Sequence, residues 1–236
     1  MNEKTDELFD WYQSKAMKKY VKKQQDYPFD ATQIEVNSRI LVCGTTGSGK
    51  TQALLHYIRL SPNTFSRIII HTKEHEEIYD MLQDKLKGNV EIHYNELGKL
   101  PTLKKLREDM DDDERVLLVI DDYMSDLSSK SNKFPNVTDY LTYGRKRGIT
   151  LFLLSQGYYE ISKTLRNQMT YILLFTLPQM RDVKAILSQF DTQDKILQDI
   201  YEDATKEHLS FLKINTKKVD PNKRFSKGFT KFYTIE

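Results

Sequence analysis

An α/β fold, with a mainly parallel sheet covered by helices on both faces, is predicted by two features of the sequence. Short apolar runs alternate with stretches of helical periodicity, and a glycine-rich turn joins the first run to the first helix. The runs at residues 39–43, 67–71, 116–121, 149–155 and 171–177 are too short for helices and almost wholly apolar, as strands covered on both faces are. A weaker run at 90–94 reads as an edge strand, and 208–214 as a last strand. Helical patterns cover 50–60, 74–86, 137–146, 179–190 and 192–206. Parallel neighbours need a crossover between them, and these helices supply it.

The chain has 236 residues, long enough to bury a sizeable core. It is 39% hydrophobic and 30% charged, with a net charge of +2 and a pI near 8.4. That balance neither requires nor excludes nucleic acid, because a local lysine stripe binds phosphate even on a nearly neutral protein. The single cysteine, Cys43, sits in an apolar run and rules out an internal disulfide framework. Residues 1–10 are too polar for a secretory signal, and no apolar stretch approaches the ~18 residues that span a bilayer. The expectation is a soluble, intracellular protein.

Three regions are expected. Residues 1–30 form an N-terminal helical arm, with Leu8, Trp11, Tyr12, Ala16 and Tyr20 on one face and Lys15, Lys18, Lys19, Lys22 and Lys23 on another. Residues 31–215 form the α/β body. Residues 216–236 form a partly ordered basic tail carrying Lys217, Lys218, Lys223, Arg224, Lys227 and Lys231.

The turn after the first strand reads Gly44-Thr45-Thr46-Gly47-Ser48-Gly49-Lys50-Thr51, the Walker A spacing, with a strand before it and a helix after it. Its glycines let successive N–H groups face phosphate oxygens, aided by the positive end of the helix. Lys50 is placed to reach the β- and γ-phosphates of ATP, and the Thr51 hydroxyl to coordinate Mg²⁺. The run at 116–121 ends in Asp121-Asp122, at the strand edge where open α/β sheets bind ligands. This reads as Walker B, with Asp121 holding Mg²⁺ and Asp122 orienting the attacking water. The fold class is thus that of a P-loop NTPase, RecA/ASCE-like.

The run at 149–155 ends at the same edge in Ser155-Gln156. A neutral amide there can bond the γ-phosphate or the water, and equally can be an ordinary loop residue. Arg145 and Arg147 precede that run and Arg166 follows it. A guanidinium reaching a neighbour's γ-phosphate would act as an arginine finger, whereas most surface arginines are merely solvated. The guanine-reading Asn-Lys-x-Asp is not matched, since Asn132-Lys133-Phe134-Pro135 has no Asp, which favours ATP. Two other functional classes stay open at this point. A P-loop kinase would need an acceptor pocket and an arginine-rich lid, of which the sequence gives no clear sign. A non-catalytic ATP-binding assembly protein would keep the phosphate loop alone.

The constellation resembles the DNA-packaging ATPases of large DNA viruses, poxvirus-type and virophage-type, within the FtsK-HerA group. The resemblance runs from about Arg39 to Leu177. It is carried by the phosphate loop, the acidic strand, Tyr143-Gly144-Arg145-Lys146-Arg147-Gly148-Ile149, the strand ending Ser155-Gln156 with Tyr158-Tyr159 after it, and the stretch from Ile161 to Asn167 followed by Tyr171 to Phe175. It implies catalytic roles for Lys50, Asp122 and Gln156, with Arg145 the preferred finger and Arg147 the second. Many relatives in the wider group carry Glu where this chain has Asp122, one methylene shorter. It further implies a ring homo-oligomer, a pentamer or hexamer, around double-stranded DNA gripped without regard to sequence. That ring would dock on a viral capsid, in the host cytoplasm or viral factory or with the virion. From the residues themselves, DNA contact has three candidates: the loop at 125–136 with Lys130 and Lys133, the N-terminal lysine stripe and the basic tail.

Overall fold

Strands form where the apolar runs lie. The computed structural model describes residues 15, 26–123, 135–190, 193–218 and 220–235. Its strands are β1 (Arg39–Cys43), β2 (Arg67–Thr72), β3 (Val90–Tyr94), β4 (Val116–Asp121), β5 (Ile149–Ser155), β6 (Tyr171–Leu174), β7 (Leu212–Asn215), β8 (Phe225–Lys227) and β9 (Lys231–Phe232). They make one sheet in the order β3-β2-β4-β5-β1-β6-β7-β8-β9. The first six pair in parallel, and β7, β8 and β9 are antiparallel. As predicted, β3 is an edge strand.

Successive side chains of a strand point to opposite faces, and here both faces are covered. Ile40, Val42, Ile68, Ile70, Leu117, Val119, Phe152 and Leu154 join one core. That core is closed by Leu54, Tyr57 and Ile58 of α2 (Lys50–Leu60) and by Tyr79 and Leu82 of α3 (Glu77–Lys85). Leu41, Ile69, Leu118, Ile120, Leu151 and Leu153 join the other. It is closed by α4 (Leu103–Glu108), α5 (Pro135–Tyr143), α7 (Met180–Leu187) and α8 (Asp194–Thr205), with α6 (Lys163–Arg166) adding Leu165. A four-residue helix, α1 (Phe29–Thr32), lies before β1. Double coverage is why β1, β4 and β5 are buried at every position and read as unbroken apolar runs.

Several boundaries differ from expectation. Helix α3 begins at Glu77 and not 74, because residues 73–76 turn out of β2 toward the sheet edge. Helix α5 stops at Tyr143 and gives way to a 3₁₀ turn at Gly144–Arg147, which ends on Gly148 at φ +79°. Short, charged α4 was not legible as a helix; the Thr102 side chain caps it by accepting from the Lys105 N–H.

The largest correction is at the C-terminus, where the expected basic tail instead supplies β8 and β9. The cause is two buried phenylalanines, Phe225 and Phe229, hidden among lysines. Phe225 is fully buried beside Phe190, and Phe229 packs against Phe211 and His56 on the other face. Lys227 meets Asp203 and Glu207 at the surface. The buried Lys213 ammonium ties this hairpin to α1, donating to the carbonyls of Thr32 (3.1 Å) and Phe229. Of the expected arm at 1–30, only residue 15 and residues 26–30 are described.

Candidate active site

Strand order decides which loops meet. Because the connections from β1 to β2 and from β4 to β5 cross over, the C-terminal ends of β1, β4 and β5 lie side by side, with β5 between the other two. The phosphate loop, Asp121-Asp122 and Gln156 therefore share one cleft of ≈ 630 Å³.

Gly44 has no room for a side chain, since a Cβ there would lie 2.5 Å from Phe175 Cβ. Gly49 has φ +108°, which only glycine adopts without strain, and it turns the loop into α2. No side chain caps α2 and no acidic residue lies in its first turn, which leaves the positive end of the helix free for phosphate. The Ser48 hydroxyl is buried inside the loop without a partner among the described residues, as a donor meant for a phosphate oxygen would be. Lys50 Nζ donates to the Gly44 and Thr45 carbonyls, both at 2.9 Å, which holds it over the loop. Burial lowers its pKa, and the negative charge of Asp121 opposes that shift.

Asp121 is 6% exposed, and burial pushes its carboxyl up to about 6. The Tyr79 hydroxyl of α3 donates to Asp121 Oδ2 at 2.6 Å. Asp122 sits at φ +60°, a left-handed conformation that short polar side chains tolerate, and its carboxylate accepts from Gln156 Nε2 at 3.3 Å. Glu76, just before α3, also lines the cleft. Its carboxyl is raised by burial, with Lys50 and Asp122 acting on it in opposite senses.

The cleft is lined by Thr46, Gly47, Gly49, Lys50 and Thr51 of the phosphate loop together with Asp121, Asp122 and Gln156; Gly44, Thr45 and Ser48 of the same loop do not line it. Nor do Arg145 and Arg147. They lie before Ile149, and seven residues of β5 at ~3.3 Å each put them about 20 Å from Gln156, at the opposite sheet edge. Both are exposed there. Arg166 is committed elsewhere, stacked on Tyr158 and Tyr159 at 4.7 and 4.6 Å. Lys130 and Lys133 lie outside the described residues.

Mg²⁺ prefers oxygen ligands and takes one or two carboxylates together with substrate phosphates. The Thr51 hydroxyl and the Asp121 carboxylate fit that demand. Glu76 and Tyr79 were not predicted. Each comes from the α3 region, in which only a helix was legible; because β2 pairs with β4, Glu76 lines the cleft and Tyr79 meets Asp121 from the core side.

The fold is that of known packaging ATPases. The DNA-packaging ATPase B204 from Sulfolobus Turreted Icosahedral Virus superposes with a TM-score of 0.62 at 17% identity, over 83% of this chain and 98% of that one. The genome packaging NTPase B204 from Sulfolobus turreted icosahedral virus 2, in complex with ATP-gammaS, gives 0.59 at 17% identity, over 85% of this chain and all of that one. EssC (ATPases 2 and 3) from Geobacillus thermodenitrificans gives 0.52 at 11% identity, over 83% of this chain and 40% of that one. Among curated proteins, none matches the chain in sequence. A family model, however, matches residues 28–212, which take in the phosphate loop, the acidic strand, Gln156 and both edge arginines. With that span matched and every residue of the cleft inside it, the chain belongs to the poxvirus A32 protein family.

Proposed function

We propose that the chain is the ATP-hydrolysing subunit of a ring motor that drives viral double-stranded DNA into a preformed capsid. The observation that carries this reading is the separation of its functional groups. Lys50, Thr51, Asp121, Asp122 and Gln156 line one edge of the sheet, whereas Arg145 and Arg147 lie exposed at the other. Neither arginine can reach its own subunit's phosphates, and a guanidinium supplied by the next subunit completes the charge balance that phosphoryl transfer requires.

In this reading the loop N–H groups and Lys50 bind the β- and γ-phosphates. Mg²⁺ supplies neutralisation of phosphate charge, held by Thr51 and Asp121, with Tyr79 fixing the carboxylate. Asp122 accepts the proton of the attacking water, and Gln156, bonded to Asp122, orients that water and registers the γ-phosphate. A pentamer or hexamer would bring each edge arginine to a neighbouring site. Lys130 and Lys133, which follow the acidic strand, are the favoured contacts with DNA phosphates, read without regard to sequence. The N-terminal arm would meet DNA or adjacent subunits, and the motor would act in the host cytoplasm or viral factory.

The ring interface is tested by mixing inactive variants. Arg145→Ala and Lys50→Ala are each expected to abolish turnover alone, the former with ATP binding retained. Mixed together they are expected to recover part of the rate, because some interfaces then pair an intact loop with an intact arginine. Mixtures no more active than either variant would exclude Arg145 as a finger acting between subunits.

A further inference from the structure

The cleft continues past the phosphate loop, on the side away from Asp121. Strands β4 and β5, which carry Asp121 and Gln156, lie to one side of β1, and β6 and β7 lie to the other. A triphosphate on the loop with its γ end toward Asp121 and Gln156 therefore points its nucleoside end toward β7. The turn between α8 and β7 forms the wall there, and His208 and Leu209 line it.

Leu209 is unusual in two respects. It is 45% exposed, and its backbone is left-handed at φ +62°, a conformation leucine rarely adopts. It also lies directly over the phosphate loop, since a Cβ on Gly49 would come within 2.7 Å of Leu209 Cδ2. The turn holding it is braced from both ends. Ser210 Oγ donates to the Glu207 carbonyl at 2.6 Å, the Ser210 N–H donates to the same carbonyl at 3.2 Å, and Lys227 Nζ of β8 donates to Glu207 Oε1 at 3.1 Å. The protein thus holds an apolar side chain half in solvent, in an unfavourable backbone conformation, at the far end of the phosphate cleft. A flat apolar ring covering that side chain would remove its exposed surface from water.

We propose that Leu209, with His208 beside it, is the platform on which the purine base of the bound nucleotide rests. This assignment rests on reading the phosphate loop as a nucleotide site. Leu209 removes apolar surface of the base from water, and the His208 ring adds an edge or face contact with it. The platform contributes to affinity for the nucleoside end and leaves the phosphate contacts to the loop.

The test compares ATP with inorganic tripolyphosphate, both as Mg²⁺ salts, in equilibrium binding to the full chain. Leu209→Gly suits the left-handed backbone and removes only the side chain. It is expected to weaken ATP binding about tenfold, which is ~1.4 kcal/mol, while tripolyphosphate binds within about twofold of the unaltered protein; His208→Ala shifts ATP alone in the same direction. Retained tripolyphosphate binding also shows that the variant is folded. ATP affinity unchanged in both variants would overturn the platform, as would equal losses for the two ligands. If the unaltered chain bound neither ligand, the nucleotide reading would fall and the platform with it.

Discussion

Tyr79 is the residue through which the hydrophobic core acts on the cleft. Its ring is fully buried against the sheet, and its hydroxyl fixes the Asp121 carboxylate at 2.6 Å. A hydrogen bond to a charged group is worth about 1.5–3 kcal/mol, so Tyr79→Phe is expected to slow ATP turnover about 10- to 100-fold and to raise the Mg²⁺ concentration giving half the maximal rate. A rate within twofold, with unchanged Mg²⁺ dependence, would show that Asp121 needs no such support. Asp121 itself opposes stability to function. Its carboxyl is raised from 3.8 to about 6, so the folded state takes up a proton more readily than the unfolded chain, and keeping the charge buried above pH 6 costs roughly 3 kcal/mol. That cost is present above pH 6 and vanishes as pH falls below 3.8. Asp121→Asn should therefore abolish turnover yet raise stability at pH 8, with the gain shrinking as the pH of a urea titration is lowered from 6 toward 4. A variant no more stable at pH 8 would mean that Asp121 is better solvated than its burial implies. Of these residues Asp121 was legible because it ends an apolar run, whereas Tyr79 was not, because an aromatic on the inner face of a helix carries no sign of where its hydroxyl ends.

At the scale of elements, the unforeseen feature is the C-terminal hairpin. The basic residues Lys217, Lys218, Lys223, Arg224, Lys227 and Lys231 suggested a partly ordered tail, yet Phe225 is fully buried and β8 pairs with β7. Strands of two and three residues are too short for any pattern to stand out among charges, and they form only because β8 pairs with β7 and β9 with β8. Phe225→Ala should destabilise the protein by about 3–5 kcal/mol through loss of burial and the cavity left behind, measured by chemical denaturation. A tail would tolerate the change with no shift in midpoint. The long elements were legible for the converse reason. Strands β1, β4 and β5 lie at the centre of the sheet, where cover on both faces demands apolar residues throughout, and the sequence pattern is strongest where that demand is greatest.

For the molecule as a whole, the phosphate loop was legible because its whole mechanism is local, eight consecutive residues between a strand and a helix. What completes the cleft is not local. Glu76, Gln156 and Leu209 come from three separate connections, and they meet only through the strand order, which the spacing of motifs does not state. The length of β5, by contrast, separates Arg145 and Arg147 from the cleft, and the proposal that a neighbouring subunit completes the site rests on that separation. The proposed ATP-driven ring motor is tested most directly by steady-state ATP turnover with and without long duplex DNA, measured alongside the mass of the assembly. A pentamer or hexamer whose turnover rises when duplex is added is expected; a monomer hydrolysing ATP at a rate indifferent to DNA would contradict the ring motor.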